Sequence, residues 1–382
     1  MIPHGDTFEA EYGRVGASCQ HASYSMSQWN KKYNEKIKKG YVDQTHLVQD
    51  LIQKEKPRGK DGYKEIENKV IAEIVQRLQD MAHQKIQANY KVSSQQVTQA
   101  MVDEAQKVID KLMQREEVED FNNTLLELFS VIPRKMGNVN DYLSRSKEDF
   151  ARILKDEQDL LDVMRGQVVT HIVQDEPDTD DVEEKQETII EAMGLEFEEA
   201  TEDDVRMIKS LLGDCRDKFY RAWRVKNIKT QKRFDEFVNK EHISKTKLLW
   251  HGSRNENWWS IINTGLVLRP TNAVITGKMF GFGIYYAPKA RKSLGYTSLS
   301  GSYWARGNSN SAFMALMDVA YGKPYDVHSF DSKYYDFNYE RLQKTCPGAN
   351  CLHAHAGSML RNDEIIVYKE DQCTIKYLVE LR

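Results

Sequence analysis

Three short runs hold the residue types that could do chemistry. Leu248-Leu249-Trp250-His251-Gly252-Ser253 sets an imidazole, a residue without a side chain and a hydroxyl at the end of an apolar strand. The run TGKMFGFGIYYAPKARKSLGY, residues 276–296, is a glycine-rich turn leading into Gly283-Ile284-Tyr285, with Lys292, Ser293 and Tyr296 following. A lone glutamate then opens an apolar run in Asp363-Glu364-Ile365-Ile366-Val367-Tyr368. Taken singly, each has an ordinary reading: Tyr285 as a strand-core tyrosine, Ser293 as a helix cap, Glu364 as a surface carboxylate at a strand end. Taken together, these residues in one order at these intervals ask for a common explanation.

Two other clusters invite chemistry. Cys346, Cys351, His353 and His355 fall within ten residues and are zinc-ligand types. Their spacing is not that of a zinc finger, and Pro347-Gly348 between the cysteines is a plain turn signal, so no metal is expected there. Lys31, Lys32, Lys36, Lys38 and Lys39 form a basic run able to meet phosphates. The same run also fits a solvated helix face.

The surrounding chain constrains what can position these residues. It has 382 residues, 29% of them charged, and a mean hydropathy of -0.66. No run approaches the roughly eighteen apolar residues of a membrane span, and the first residues lack a secretory signature. Five scattered cysteines fit free thiols in a reducing compartment. A net charge of -4 argues against nucleic-acid binding by the whole surface and leaves room for a local patch. The composition is that of a soluble, intracellular, multidomain protein.

Along the chain, Thr7 to Tyr12 alternates as a strand does, and Trp29 to Lys39 is helix-compatible. Lys54 to Gly62, with Pro57 and two glycines, reads as a linker. Apolar residues then recur at helical spacing from Lys64 to Met164, including Val70, Ile74 and Leu78, then Met101, Ala105 and Ile109 behind a capping box of Ser93 and Gln96. A third helical stretch covers Phe121 to Val131, and a fourth runs from about Lys147 to Met164 and stops near Gly166. Such a series predicts a helical bundle. Gln174 to Gln186 is an acidic linker. From Glu187 onward the pattern becomes short strands at Leu248–Trp250, Gly283–Ala287, Met314–Tyr321, Glu364–Tyr368 and Thr374–Leu381, an α+β domain.

The order and spacing of residues 248–368 resemble the catalytic domain of the poly(ADP-ribose) polymerases, whose fold is that of the diphtheria-toxin-like ADP-ribosyltransferases. The family's His-Tyr-Glu triad falls on His251, Tyr285 and Glu364. The resemblance implies NAD as substrate, with the Gly252 backbone and the Ser293 hydroxyl on the nicotinamide carboxamide, and Tyr285 and Tyr296 as walls of the ring. It places His251 on a ribose hydroxyl with Ser253 nearby, Glu364 at the reacting ribose, and Lys292 toward the acceptor. Two departures accompany the match: Val267 stands where many members have an arginine, Arg269 coming two residues later, and Asn362 replaces an aromatic common in chain-elongating members. The loop 272–281 is close to family length.

Tyr12-Gly13-Arg14-Val15-Gly16, with Lys38-Lys39-Gly40-Tyr41-Val42, resembles a WGR domain in which Tyr12 replaces the usual tryptophan and little room remains for an upstream strand. The run Leu128–Pro133 and its bundle resemble the helical regulatory domain of the DNA-dependent members. The expected organisation is therefore a shortened WGR-like module at 1–53, an all-α regulatory bundle at 63–173 and a catalytic domain at 187–382. The expected activity is DNA-damage-responsive poly-ADP-ribosylation of protein acceptors, itself included, in the nucleus (or the cytoplasm of a cell without one), with DNA breaks bound through the N-terminal module and no membrane partner. Mono-ADP-ribosylation, or a DNA-end-binding protein with little or no catalysis, are the alternatives.

Overall fold

Alternation at Thr7–Tyr12 becomes a half-buried strand, with Phe8 and Ala10 inward and their neighbours exposed. The computed structural model describes residues 1–13, 20–41, 43–48, 63–174, 187–268, 279–358 and 360–382. Residues 14–16 and 42 of the WGR-like signature, the linker 54–62, residues 175–186 of the acidic linker, Arg269, and residues 272–278 of the loop lie outside these. The chain divides into two compact units, residues 1–58 with 86–153, and residues 59–85 with 154–382.

In the first unit, β1 (Ile2–His4), β2 (Thr7–Tyr12) and β3 (Gln20–Ser25) form an antiparallel meander. Where little room was expected for an upstream strand, Ile2–His4 form a three-residue one. Phe8 anchors this module against Tyr24 and against Trp29, which opens α1 (Trp29–Lys38), at ring separations of 5.4 and 5.1 Å. Lys32 lies over Tyr24, and Lys36 over Tyr12 and Tyr41.

The helices are α2 (Lys69–Asn89), α3 (Gln99–Leu112), α4 (Val118–Val131) and α5 (Asp149–Gln174). Buried stripes run at helical spacing, Met101, Ala105, Val108 and Leu112 on α3 and Phe121, Leu125 and Leu128 on α4. Phe121 stacks on Phe150 at 3.9 Å. The capping box of Ser93 and Gln96 is present, Gln96 accepting the Ser93 N–H at 3.0 Å; it closes a single 3₁₀ turn, and Thr98 caps α3 itself. α5 does not stop near Gly166 but continues to Gln174. The glycine marks close packing, because a Cβ there would lie 2.6 Å from the Ser260 Cα.

The second unit holds β4 (Leu195–Glu199), α6 (Glu202–Leu212), β5 (Phe219–Asn227), α7 (Ile228–Lys240), β6 (Lys247–Gly252), α8 (Trp258–Thr264), β7 (Ile284–Tyr286), α9 (Ala290–Leu294), β8 (Ala312–Val319), β9 (Pro324–Val327), α10 (Tyr339–Thr345), β10 (Cys351–Ala354), β11 (Glu364–Val367) and β12 (Cys373–Leu381). One sheet runs β4-β5-β12-β8-β6 and the other β7-β11-β10-β9. β8 is apolar almost throughout, as a strand covered on both faces must be. Trp250 and Ala287 exchange both backbone hydrogen bonds, at 2.9 and 3.0 Å, and join the sheets. Trp250, Met314, Leu316 and Val379 share one core; Phe280, Phe337, Leu352 and Ile366 share the other.

Residues 69–85 and 154–174 belong to this unit and are fastened to it by polar contacts. Arg77 reaches Glu380, which is 1% exposed, at 2.8 Å and the Ser311 hydroxyl at 2.7 Å. The Trp259 indole donates to the Thr170 hydroxyl at 2.9 Å in a buried contact. No described helix is long and apolar enough to cross a membrane.

Candidate active site

The seam between the two sheets is where the chemistry-bearing runs converge. His251 and Gly252 end β6, Tyr285 is the centre of β7, Ser293 lies in α9 with Tyr296 just past it, and Glu364 is the first residue of β11. β11 pairs antiparallel with β7, Ile366 opposite Tyr285 and Ile365 opposite Tyr286. One step further along that register Glu364 comes level with Ala287, the residue bonded to Trp250 beside His251.

Backbone contacts fix the individual groups. The His251 Nδ1 donates to the Tyr285 carbonyl at 3.1 Å, since a carbonyl can only accept. In the neutral ring this leaves the lone pair on Nε2. The ring also meets Trp258 and Tyr286 edge-on. Gly252 is required by packing: a Cβ there would sit 2.0 Å from the Ser293 carbonyl oxygen. Ser293, 5% exposed, donates its hydroxyl to the Trp250 carbonyl at 3.0 Å, so α9 is tied to the end of β6 through both. The Ser253 hydroxyl accepts from the Asn257 amide at 3.0 Å. Tyr285 donates to the Gly281 carbonyl and accepts from the Phe280 N–H, pinning the glycine turn against its own ring. Gly281 has φ +70 and lies against the Phe337 backbone, a conformation and a closeness that other residues do not tolerate.

The electrostatics centre on Glu364. Its side chain is 12% exposed and forms an ion pair with Lys292, itself 16% exposed. Burial raises the Tyr285 hydroxyl well above the ordinary tyrosine range, and the Glu364 charge raises it further. Tyr296 keeps 36% of its surface open, yet burial of its hydroxyl end, with Glu364 adding, pushes its pKa up to about 12. One carboxylate is therefore felt by both tyrosines, and both remain protonated at neutral pH.

The pairing of Lys292 with Glu364 was not legible in the sequence, although Lys292 itself stood out. Trp304 was not singled out; it stacks on Tyr296 at 6.1 Å and 15°, and nothing but its aromatic character could have indicated it. The four zinc-type residues considered together do not cluster as a set. Cys346 packs against the core of Phe280 and Phe337. The Cys351 thiol donates to the Tyr321 carbonyl, and burial pushes its pKa up to about 12. His353 and His355 turn instead to Asp326 and Asp363.

Comparison with known proteins gives this geometry its context. The family model for the poly(ADP-ribose) polymerase catalytic domain matches residues 202–382. The putative poly [ADP-ribose] polymerase-like 100L of Invertebrate iridescent virus 6 is 31% identical over 168 residues, which is 43% of this chain and 87% of the viral protein. The chain belongs to the poly(ADP-ribose) polymerase family. Poly [ADP-ribose] polymerase 1 of Gallus gallus is 24% identical over 321 residues, 76% of this chain but 30% of the chicken protein. Poly [ADP-ribose] polymerase 2 of Homo sapiens is 40% identical over 84 residues, 22% of this chain and 13% of the human one. As a member of the poly(ADP-ribose) polymerase family, the protein is an ADP-ribosyltransferase that uses NAD as its substrate.

Proposed function

We propose that His251, Gly252, Ser253, Tyr285, Ser293 and Tyr296 hold NAD, that His251, Tyr285 and Glu364 are the catalytic triad, and that the protein makes poly(ADP-ribose) on acceptors including itself. The observation that carries this reading is the nearly buried Glu364 carboxylate, which is ion-paired to Lys292 and whose charge helps raise the pKa of both Tyr285 and Tyr296. In the proposed cleft, Tyr285 and Tyr296 sandwich the nicotinamide ring, a stack of about 0.5–1.5 kcal/mol per pair. The carboxamide meets the Gly252 backbone and Ser293, whose hydroxyl keeps two lone pairs while donating to Trp250.

Transfer breaks the bond from the ribose anomeric carbon to the nicotinamide nitrogen, and the electron pair leaves with nicotinamide. Positive charge builds on the ribose, where the Glu364 carboxylate stabilises it by accepting the ribose 2′-hydroxyl. The acceptor's oxygen then forms the new bond and its proton passes to a base, a role open to Glu364 during elongation. Lys292 orients the carboxylate and the incoming acceptor.

Residues 1–53 act as a WGR-like module for broken DNA, 63–173 as a helical regulatory domain, and 187–382 as the transferase, in a nuclear enzyme answering DNA damage. The helical segment restrains NAD entry until DNA binds, a two-state element biased by ligand. The contacts Thr170–Trp259 and Gly166–Ser260 support this, because α8 presents Trp258 to the His251 ring. A second reading, transfer of single units, is favoured by Asn362 standing two residues before Glu364. Labelled NAD with and without nicked DNA separates the two on a gel. The proposal expects a DNA-stimulated high-mass smear, whereas one discrete band indifferent to DNA would establish single-unit transfer without DNA control.

A further inference from the structure

Outside the NAD cleft, β9 and β10 gather a second set of chemistry-bearing side chains. The two strands pair in parallel with Asp326 directly opposite His353. His353 and His355 are two apart, so they share a face of the strand and its extension. Their rings stack at 4.0 Å and 25°. Both rings direct one nitrogen to Asp326: His353 Nδ1 is 3.8 Å and His355 Nε2 2.7 Å from the same Oδ1. Both direct the other nitrogen to Asp363: His353 Nε2 is 3.0 Å and His355 Nδ1 3.9 Å from its Oδ2. The Ala356 N–H holds the second oxygen of Asp363 at 2.8 Å. Two imidazoles therefore lie between two carboxylates, and His328 stacks on His355 at 4.4 Å.

We propose that Asp326, His353 and His355 form a binding site for a divalent transition-metal ion of the zinc type, with Asp363 as the carboxylate behind both histidines. One donor atom from each of the three residues lies within 4.8 Å of the others. Around a tetrahedral zinc at about 2.0–2.2 Å, donor atoms stand about 3.3–3.5 Å apart, and the 2.7 and 3.8 Å separations bracket that value. Two imidazoles and one carboxylate suit zinc, cobalt or nickel rather than calcium or magnesium.

The partners on the far side match what a metal site needs. A ligating histidine usually donates its second N–H to a carboxylate, which fixes the tautomer and the ring plane. His353 Nε2–H donates to Asp363, which leaves its Nδ1 lone pair facing Asp326; the Tyr321 hydroxyl now donates to that lone pair at 2.9 Å and would give way to the ion. The proton that His355 shares with Asp326 would move to its Nδ1, toward Asp363, leaving the ring neutral. His353 is nearly buried while His355 and Asp326 keep a path to solvent. The ion would clasp β9 to β10, and through Asp363 would bear on the first residue of β11, Glu364.

The test uses the full chain stripped with chelator and titrated with Co²⁺ alone, followed by its visible spectrum and by equilibrium dialysis, then with Zn²⁺ in competition. The site predicts one equivalent of Co²⁺, a tetrahedral or five-coordinate visible band displaced by Zn²⁺, and no sulfur-to-cobalt charge-transfer band in the near ultraviolet. D326N/H355Q should lose the equivalent altogether, D363N should bind about 10–100-fold more weakly, and C346S should bind as the wild type does. Near-ultraviolet circular dichroism of each variant reports whether it has folded. Absence of saturable uptake by the wild type, uptake retained in folded D326N/H355Q, or a sulfur charge-transfer band would overturn the site.

Discussion

Glu364 and Lys292 pair with little surface open to water, and removing one partner leaves the other charge stranded. Around them the two tyrosines do different work. Tyr285 is held by the backbone of its own glycine turn, while Tyr296 is half open and backed by Trp304. Tyr296→Ala should therefore raise KM for NAD about two- to twelve-fold, the loss of one ring stack, with kcat changing less; steady-state nicotinamide release measures both. Asp204, 6% exposed, belongs to a different task. Burial works to raise its pKa, but Arg224, Thr201 and Tyr377 outweigh burial and hold the carboxyl well below the usual range. A depressed folded pKa contributes stability above the unfolded value of about 3.9 and loses it as pH falls toward the folded one. Thermal melts between pH 7 and pH 2 should show D204N less stable than wild type by about 1.5–3 kcal/mol at neutral pH, with the gap closing in acid. A gap that stays constant down to pH 2 would remove Asp204 from this role.

Elements were legible in proportion to how local their signals are. β2 and the stripes of α3 and α4 follow from alternation and helical spacing in contiguous residues. β6, β7, β8, β11 and β12 likewise stood out as apolar runs. The far end of α5 was misplaced because glycine was taken as a stop, whereas its absent side chain serves an approach to Ser260 that no local pattern encodes. Short β9 and β10 were missed for a related reason: their parallel pairing is non-local, and it alone brings Asp326 to His353 across the 26 residues between them. The same holds for Lys292 and Glu364, which were each visible while their contact was not. The Gly166 contact yields a prediction. Gly166→Val has no room beside Ser260 and should cost about 1–3 kcal/mol of stability. If the helical segment restrains NAD entry, it should also raise DNA-independent nicotinamide release severalfold; an unchanged basal rate in a folded variant would detach α5 from regulation.

The two units differ in their make-up. The first combines a small strand module, with lysines lying over tyrosines, and a helical part; the second joins two sheets along the seam that holds the triad candidates. The fold class of the second unit and its membership in the family were readable from motif order alone. The first unit was read less well, because Tyr12 to Gly16 gives a weak signature and its strands are short. If residues 1–53 bind broken DNA as proposed, nicked DNA should stimulate automodification by the full chain several-fold, and K32A/K36A should abolish the stimulation while leaving DNA-free activity in place. Nicotinamide release from labelled NAD by wild type and E364Q decides whether Glu364 does the chemistry. E364Q, with unchanged circular dichroism, should retain NAD binding and lose about 10²–10⁴-fold in rate. A rate within a few-fold of wild type would move the chemistry to another group.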